Sequence, residues 1–326
     1  MTAQEIAPPL AALGGTRPPA PAWFHEMLAL APERRFHEVD GARIETLVWG
    51  EHGRPGLLFL HGNAAHADWW SFIAPFFLPQ YRVVALSWSG MGSSDWRDEY
   101  SLDGFVAEAL MIAEAEGLFS SPARPVVVGH SFGGVPTAAI AGRAGDRIGA
   151  AVLVDSPLMS REQRAERRRQ RGGPAPTEDR RVRPHRIYPD VPSALARYRF
   201  LPAQHCENLY AVDHIARLSL REAGEPGHGV TWRFDPSIWA KYRHGDPTVG
   251  LESARCPVAI IWGGQSRLVD EGVIAWQRSK APPGTPSIEI PEAGHHLMLD
   301  QPIAFVTALR ALLAGWPGRG ATGQAS

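Results

Sequence analysis

The sequence predicts an α/β fold in which a mostly parallel sheet is covered by helices on both faces. Short apolar runs rich in Val, Ile and Leu alternate along the chain with segments that repeat apolar residues at helical spacing. These runs are unbroken, as is typical of strands buried on both faces. The composition is that of a globular protein with a sizeable hydrophobic core, because 44% of the 326 residues are hydrophobic and 21% are charged.

The strand and helix predictions follow these patterns in chain order. The first two predicted strands flank Asp40-Gly41, a dipeptide that tight two-residue turns prefer, so they should form a hairpin. Helices separate the remaining strands, which favours parallel pairing. The predicted strands are residues 36–39, 43–49, 56–61, 82–86, 125–129, 149–155, 258–262 and 287–290. The predicted helices are residues 68–78, 102–118, 132–143, 271–280 and 303–316.

The domain organisation follows from where the alternation stops. Residues 1–34 are predicted to form a flexible N-terminal arm, because five prolines and two adjacent glycines fall within the first two dozen residues. The stretch between Asp155 and Val258 is too long for a crossover and has no comparable apolar run. It predicts an inserted domain at residues 157–246. The core then comprises residues 35–156 and 247–316, and residues 317–326 form a C-terminal tail.

The insertion itself has two parts. Residues 161–186 contain ten arginines and four acidic residues, and residues 193–222 have a helical pattern. The arginine-rich part is either an anion-binding surface or a solvated helix face. Because the chain has only two lysines, arginine is its usual basic residue, which weakens the first interpretation.

Charge and cysteine content exclude several classes of function. A net charge of -1 gives no general attraction to nucleic acid or to an anionic membrane, so a small-molecule partner is expected. No stretch has the length of a membrane span and the first thirty residues lack a signal-peptide pattern, which predicts a cytoplasmic location. Cys206 and Cys256 belong to no CxxC or Cys/His cluster, which predicts free buried thiols and no zinc site.

The most informative motif is the GHSFG run that begins at Gly129. It places Ser131 on a turn between an all-valine strand and a helix of small residues. The flanking glycines allow a turn tight enough to expose the hydroxyl, and the helix N-terminus directs N–H groups at any oxyanion formed there. Ser131 is therefore the predicted nucleophile.

Two further motifs supply the groups that a serine nucleophile needs. Asn63 follows another predicted strand, so the backbone N–H groups of Asn63 and Phe132 are predicted to form an oxyanion hole. A base of near-neutral pKa is also required, and His295 follows the last predicted strand. The neighbouring His296 is the alternative base.

The predicted substrate pocket is apolar and aromatic. Trp69 and Trp70 follow the oxyanion segment, and His66 and His130 lie near the residues of the proposed site, so all four are predicted substrate contacts. No metal-ligand cluster and no phosphate-binding glycine loop occurs in the sequence. Neither a metal nor an organic cofactor is therefore expected.

Taken together, these motifs resemble the four landmarks of the α/β-hydrolase superfamily, in the same order and after the same strands. The landmarks are HGN from His61, GHSFGG from Gly129, WGG from Trp262, and GHH from Gly294 followed by DQP from Asp300. The resemblance, which spans residues 36–316, implies an eight-stranded, mostly parallel sheet and a mainly helical cap over Ser131. It also implies Ser131 as nucleophile, His295 as base, and Asn63 and Phe132 as oxyanion donors.

The acid of the triad departs from the family pattern. Most serine members place it three residues after the glycine of the WG pair, where this chain has Ser266. Some members, similar to haloalkane dehalogenases and certain lactonases, instead take it from the end of the strand after the nucleophile, where this chain has Asp155. Asp155 is the predicted acid. Asp270 and a serine–histidine dyad supported by water or Ser266 remain alternatives.

The predicted function is a cofactor-free serine hydrolase. It would cleave an ester, thioester or lactone bond of a largely apolar small molecule through an acyl-enzyme. Two alternatives are hydrolysis of an activated carbon–carbon bond with the same triad and a ligand-binding protein that keeps the fold without turnover.

Overall fold

A computed structural model describes residues 6–170, 184–224, 227–243 and 249–316. The predicted tail at 317–326 and the central part of the arginine-rich segment, 171–183, lie outside the described residues. The strands are β1 (Glu33–Val39), β2 (Ala42–Trp49), β3 (Gly56–Leu60), β4 (Arg82–Leu86), β5 (Tyr100–Ser101), β6 (Val126–His130), β7 (Ala150–Val154), β8 (Leu220–Glu222), β9 (Val230–Trp232), β10 (Tyr242–Arg243), β11 (Val258–Gly263) and β12 (Ser287–Ile290). The α-helices are α1 (Ala22–Ala29), α2 (Leu102–Ala115), α3 (Gly134–Arg143), α4 (Arg161–Gln170), α5 (Val191–Leu195), α6 (Leu209–Leu218), α7 (Val249–Glu252), α8 (Glu271–Lys280), α9 (Leu297–Asp300) and α10 (Pro302–Gly315).

The central sheet confirms the predicted fold class. Its eight strands run in the order β1-β2-β4-β3-β6-β7-β11-β12. The pairs β1/β2 and β2/β4 are antiparallel, and the remaining pairs are parallel. Asp40 and Gly41 have φ angles of 46° and 74°, so both turn residues are left-handed, as the predicted tight hairpin requires.

The sheet is buried on both faces, which explains the unbroken apolar runs. Along β3, Leu57 and Phe59 join one hydrophobic core, while Leu58 and Leu60 join the core on the opposite face. Because β3, β6, β7 and β11 are parallel neighbours, their carboxyl ends lie along one edge of the sheet. The loops that follow these strands therefore meet, and functional residues are expected there.

The N-terminal segment corrects one prediction, because residues 6–34 are not a loose arm. They contain α1, and Leu10 and Phe24 are buried in the core. Pro21 immediately precedes α1, where a helix tolerates proline because no intrahelical N–H is lost. The ring of Phe24 packs 5.4 Å from Phe72 and 4.8 Å from Tyr210. Apolar burial thus fixes a segment that its prolines alone would leave irregular.

Two helix predictions also need correction. The predicted helix at 68–78 is replaced by two short 3₁₀ helices, Ala67–Trp70 and Ala74–Phe77. Pro75 explains the break, because proline cannot donate the hydrogen bond that a continuous helix needs. The helical pattern of 193–222 is realised in α6, but it ends in β8, which pairs antiparallel with β9. Short strands in the insertion carry too little periodicity to be found from sequence.

The two cysteines and the lengths of the helices complete the description of the fold. Cys206 and Cys256 are both free and buried, as predicted. Among the described residues, no helix combines the length and the apolar character needed to cross a bilayer.

Candidate active site

Ser131 lies on a strained turn between β6 and α3. Its φ of 53° is left-handed, which is unusual for a residue with a side chain and is typical of a sharp strand-to-helix turn. A Cβ at Gly129 would lie 2.2 Å from Thr137 Oγ1, and one at Gly133 would lie 2.4 Å from the Leu60 carbonyl oxygen. Only glycine fits these two positions. The GHSFG run is thus required by close backbone packing around the serine.

Three predicted site residues form one chain of hydrogen bonds. Ser131 Oγ donates to His295 Nε2 over 2.8 Å, and His295 Nδ1 donates to Asp155 Oδ1 over 2.7 Å. A carboxylate only accepts, so the proton lies on Nδ1 and Nε2 is free to accept from the serine. His295 and Asp155 are each 1% exposed, whereas Ser131 is 8% exposed at the edge of the site.

The carboxylate of Asp155 is held from three sides. Besides His295, it accepts hydrogen bonds from Ser266 Oγ over 2.7 Å and from the Gly263 backbone N–H over 2.8 Å. Asp155 also has a left-handed φ of 43°, so the chain turns sharply at the end of β7. Ser266, which stands where the resemblance would place the acid, therefore donates a hydrogen bond to the predicted acid Asp155.

Asp270 occupies a different environment. It accepts a hydrogen bond from the Val273 backbone N–H and thereby caps the N-terminus of α8. It also pairs with Arg167 over 2.5 Å, and its side chain is 64% exposed. The geometry thus favours Asp155 over Asp270 as the partner of His295.

The other two histidines beside the base do not contact Ser131. His130 Nε2 donates to the carbonyl oxygen of His295 over 2.9 Å and so supports the backbone of the base. The ring of His296 packs 5.2 Å from Trp69 and 4.9 Å from Phe200. Burial, together with the nearby His295, lowers the pKa of both His130 and His296 well below the usual range, so both rings stay neutral. The structure therefore places His130 as a support of the base rather than as a pocket wall.

The segment containing Asn63 lies directly against Ser131. A Cβ at Gly62 would come within 3.0 Å of Ser131 Cβ. His61 Nδ1 donates to the Gly62 carbonyl oxygen over 2.7 Å, and its Nε2 accepts from the Trp88 backbone N–H over 3.1 Å. Burial lowers the pKa of His61 to about 3, which keeps Nε2 able to accept. His61 thus fixes the oxyanion segment (residues 61–64) beside the serine.

A cavity of about 210 Å³ opens beside the oxyanion segment, and it contains two of the predicted substrate contacts. His66 and Trp69 line it, whereas Trp70 is 1% exposed and packs 4.8 Å from Phe59 in the core. The prediction for Trp70 is therefore wrong, because adjacent residues of a helical turn point in different directions. The full lining is Asn63, Ala64, His66, Trp69, Arg197, Tyr198, Arg199, Phe200, Leu201, Ser219, Trp232, Arg233, Phe234 and His296.

A second cavity of about 820 Å³ lies on the other side of the base. It borders His295 and Gly294, together with Gln265 and Arg267 from the segment after β11. Asn63 does not line it, and Ser131 lines neither of the two cavities. The smaller cavity, which reaches the oxyanion segment, is therefore the better candidate for a binding pocket.

A buried ion network beneath the oxyanion segment was missed from the sequence. Glu45 pairs with Arg34, which also donates to Asp68 over 2.7 Å. Ser87 Oγ donates to Glu45 over 2.6 Å and accepts from the Ala67 backbone N–H over 3.0 Å. The network joins β1, β2 and the segment after β4, which are far apart in the chain, so no local pattern signals it.

The residues present offer little for a resident metal. His130, His295 and His296 bring ligand atoms within 4.8 Å of one another. Both ring nitrogens of His295, however, are engaged by Ser131 and Asp155. This cluster is better explained by acid–base chemistry than by metal binding.

Comparisons with known proteins show the family to which the chain belongs. A family model described as "Alpha/beta hydrolase family" matches residues 57–309. The chain is 27% identical to esterase Rv0045c of Mycobacterium tuberculosis over 289 residues, which are 86% of this chain and 90% of that protein. Lipase LipV of the same organism is 32% identical over 107 residues, which are 33% of this chain and 39% of that protein.

Solved structures are similar in fold. The thioesterase domain from the curacin biosynthetic pathway superposes with a TM-score of 0.67 at 23% identity, covering 87% of this chain and 99% of that one. A structure of the M. tuberculosis esterase Rv0045c superposes with a TM-score of 0.65 at 22% identity, covering 93% of this chain and 96% of that one.

Proposed function

The chain belongs to the alpha/beta hydrolase family, and from this premise we propose that it is a serine hydrolase that cleaves an ester, thioester or lactone bond of a small molecule. The observation that carries the proposal is the hydrogen-bond chain from Ser131 through His295 to Asp155, with lengths of 2.8 and 2.7 Å. In this chain the serine donates to a histidine whose other nitrogen carries the proton and donates to a carboxylate. This arrangement activates a serine hydroxyl. The similarity to esterase Rv0045c over most of both chains supports an ester substrate.

The proposed reaction begins at the serine. Ser131 Oγ attacks the carbonyl carbon while its proton passes to His295 Nε2, and Asp155 stabilises the imidazolium that forms. The backbone N–H groups of Asn63 and Phe132 would hold the developing oxyanion. His295 then gives the proton to the leaving group, which departs and leaves the acyl group on Ser131. Water, activated by the same histidine, attacks this acyl-enzyme and releases the acid.

The supports around the triad favour this chemistry. Gly263 and Ser266 hold the carboxylate of Asp155, and His130 holds the backbone of His295. A base oriented in this way needs no rearrangement before proton transfer.

We also propose that the insertion at 157–246 acts as a cap over the site. Trp239, which belongs to it, donates a hydrogen bond from Nε1 to Asn63 Oδ1 over 3.1 Å. The same indole packs 5.3 Å from the ring of Phe132. Further along, β10 pairs in parallel with β5 of the core. The contacts of Trp239 involve both proposed oxyanion donors, which supports a role of the insertion in substrate entry.

A substitution of the nucleophile tests the proposal. Ser131→Ala should lower the kcat for short-chain 4-nitrophenyl esters by several orders of magnitude and abolish labelling by a fluorophosphonate probe, because it removes the bond-forming atom. Ser120→Ala, at an exposed serine whose hydroxyl contacts His52 and no residue of the site, is the matched control and should behave like the wild type. Both variants should keep the wild-type circular dichroism spectrum.

Two outcomes would overturn the mechanism. The first is a Ser131→Ala protein with activity within tenfold of the wild type. The second is a folded wild-type protein that neither hydrolyses any ester, thioester or lactone tested nor reacts with the probe, which would support a ligand-binding protein.

A further inference from the structure

The cavity beside the oxyanion segment is placed to receive the acyl part of a substrate. It borders Asn63 and Ala64, next to where the carbonyl oxygen would be held. His295, which would protonate the leaving group, borders the other, larger cavity. The smaller cavity would then select the acyl group, a role that rests on the proposed serine hydrolase function.

Several buried polar groups in the wall of this cavity have no protein partner within the described part of the chain. They are Trp69 Nε1, Arg233 Nε and both ring nitrogens of His296. Trp69 and His296 are each only 6% exposed. Burying a donor without an acceptor is unfavourable, and folded proteins rarely leave such groups unmatched. Indole and guanidinium N–H groups can only donate, so the missing partner is a hydrogen-bond acceptor.

The charge of the wall indicates what kind of acceptor it is. Arg197, Arg199 and Arg233 line the cavity, and the described lining includes no acidic side chain. Arg197 is exposed at the rim of the cavity. An acceptor that carries negative charge would therefore be favoured here over a neutral one.

Two acidic side chains partly balance the positive charge of Arg233. Its Nη2 lies 3.5 Å from Asp68 and 3.9 Å from Glu45, and both of these acids also pair with Arg34. Burial opposes ionisation of Asp68, but hydrogen bonds from His66 and Arg34 hold the pKa of this carboxyl well below its usual range. The two acids and two arginines therefore balance one another. Arg197, which also lines the cavity, has no acidic partner within the described part of the chain.

From these observations we infer that the cavity binds a carboxylate on the acyl side of the substrate, held by Trp69 and Arg233 and attracted by Arg197. The preferred substrates would then be half-esters of short dicarboxylic acids rather than simple alkanoate esters. A volume of about 210 Å³ corresponds to roughly seven water molecules at ~30 Å³ each, which suits an acyl chain of about six carbons. The aromatic side chains around it would contact the methylene groups.

Three matched substrates test the inference. They are 4-nitrophenyl hydrogen adipate, 4-nitrophenyl hexanoate and the neutral amide 4-nitrophenyl 5-carbamoylpentanoate, which share the leaving group and the chain length. We expect the wild-type kcat/KM for the adipate to exceed that for the hexanoate by roughly 10- to 100-fold, the range of one charge-assisted hydrogen bond. The amide should fall well below the adipate.

Three variants identify the side chains that bind the carboxylate of the substrate. Trp69→Phe removes the Nε1 donor and keeps a ring, and Arg233→Lys keeps the charge beside Asp68 but removes the Nε donor. Each should lower the adipate-to-hexanoate ratio by about tenfold, because the ratio cancels any effect that the variant has on both esters alike. Arg197→Gln should lower the ratio severalfold, an effect that weakens at high salt. Arg54→Gln, which makes the same charge change at an exposed position outside the cavity, should leave the ratio unchanged.

The outcomes separate the two proposals. Normal hydrolysis of hexanoate with no preference for adipate would overturn the carboxylate site and leave the serine hydrolase standing. Equal activity on the adipate and the amide would show a neutral polar pocket and would also overturn it. A preference for adipate that all three variants retain would place the carboxylate elsewhere. Failure of all three esters, with no labelling of Ser131 by a fluorophosphonate, would instead refute the proposed function.

Discussion

Replacement of Asp155 by asparagine tests the assignment of the acid most sharply. Its carboxylate accepts from His295 Nδ1, Ser266 Oγ and the Gly263 N–H over 2.7, 2.7 and 2.8 Å, so all three neighbours act as donors. Asparagine keeps the shape but offers one accepting oxygen and one donating NH₂ group. No orientation of this amide can therefore reproduce all three contacts.

The two orientations have different costs. If the amide oxygen stays on Gly263, the NH₂ group faces His295 Nδ1 and moves the histidine proton to Nε2, which can then no longer accept from Ser131. If the amide is flipped, its NH₂ group meets the buried Gly263 N–H, which costs about 1–3 kcal/mol. Serine enzymes that lose the correct tautomer in this way lose roughly 10⁴ in kcat, or about 5.4 kcal/mol of transition-state stabilisation.

The assay compares Asp155→Asn with Asp270→Asn, using kcat for a 4-nitrophenyl ester and circular dichroism to check the fold. Asp270 caps α8 and pairs with Arg167 at an exposed position, and asparagine caps a helix about as well as aspartate. The Asp270 variant should therefore stay within threefold of the wild-type kcat. A large loss of kcat in the Asp270 variant alone would show that Asp270, and not Asp155, is the acid.

Two further predictions concern the support of the site and the effect of pH. Ser266→Ala removes the hydroxyl that donates to Asp155 and accepts from the Val269 N–H, so kcat should fall by about tenfold, the value of one hydrogen bond, with little change in KM. A loss above ~10³ in kcat would mean that Ser266 does more than orient the acid. Burial lowers the pKa of His61 to about 3 and that of His214 to about 4, so below pH ~6.5 the unfolded chain takes up protons that the folded protein does not. The free energy of unfolding, measured in urea, should accordingly fall between pH 7.5 and 5.5 by about 1.4 kcal/mol for each of these histidines, and equal stability at the two pH values would contradict it.

The sequence by itself determined the features that arise within a short stretch of chain. Unbroken apolar runs predicted the bounds of the strands β3, β6 and β7 to within one residue at either end. These strands are buried on both faces, so every position in them favours an apolar residue. The GHSFG run located Ser131 for a similarly local reason, since the close approach of Thr137 and Leu60 admits only glycine on either side of it.

Local patterns failed where packing overrides propensity. The prolines of residues 6–34 predicted an irregular arm, but burial of Leu10 and Phe24 fixes that segment against the core. Trp69 and Trp70 are equivalent in sequence, yet one lines the cavity and the other fills the core. Neither outcome has a local cause, because each depends on surfaces supplied by distant parts of the chain.

Only the tertiary structure decided between the candidate acids and revealed the ion network. Asp155 and Asp270 both follow strands that end at the same edge of the sheet, so chain order favoured Asp155 but left Asp270 as an alternative. The hydrogen bond from His295 joins residues 140 positions apart, and the contact of Ser266 with Asp155 spans 111. Such contacts depend on how β7 and β11 pack side by side, which no local pattern specifies. The sequence could therefore rank Asp155 ahead of Asp270, but only the tertiary structure shows the carboxylate of Asp155 within hydrogen-bond distance of His295.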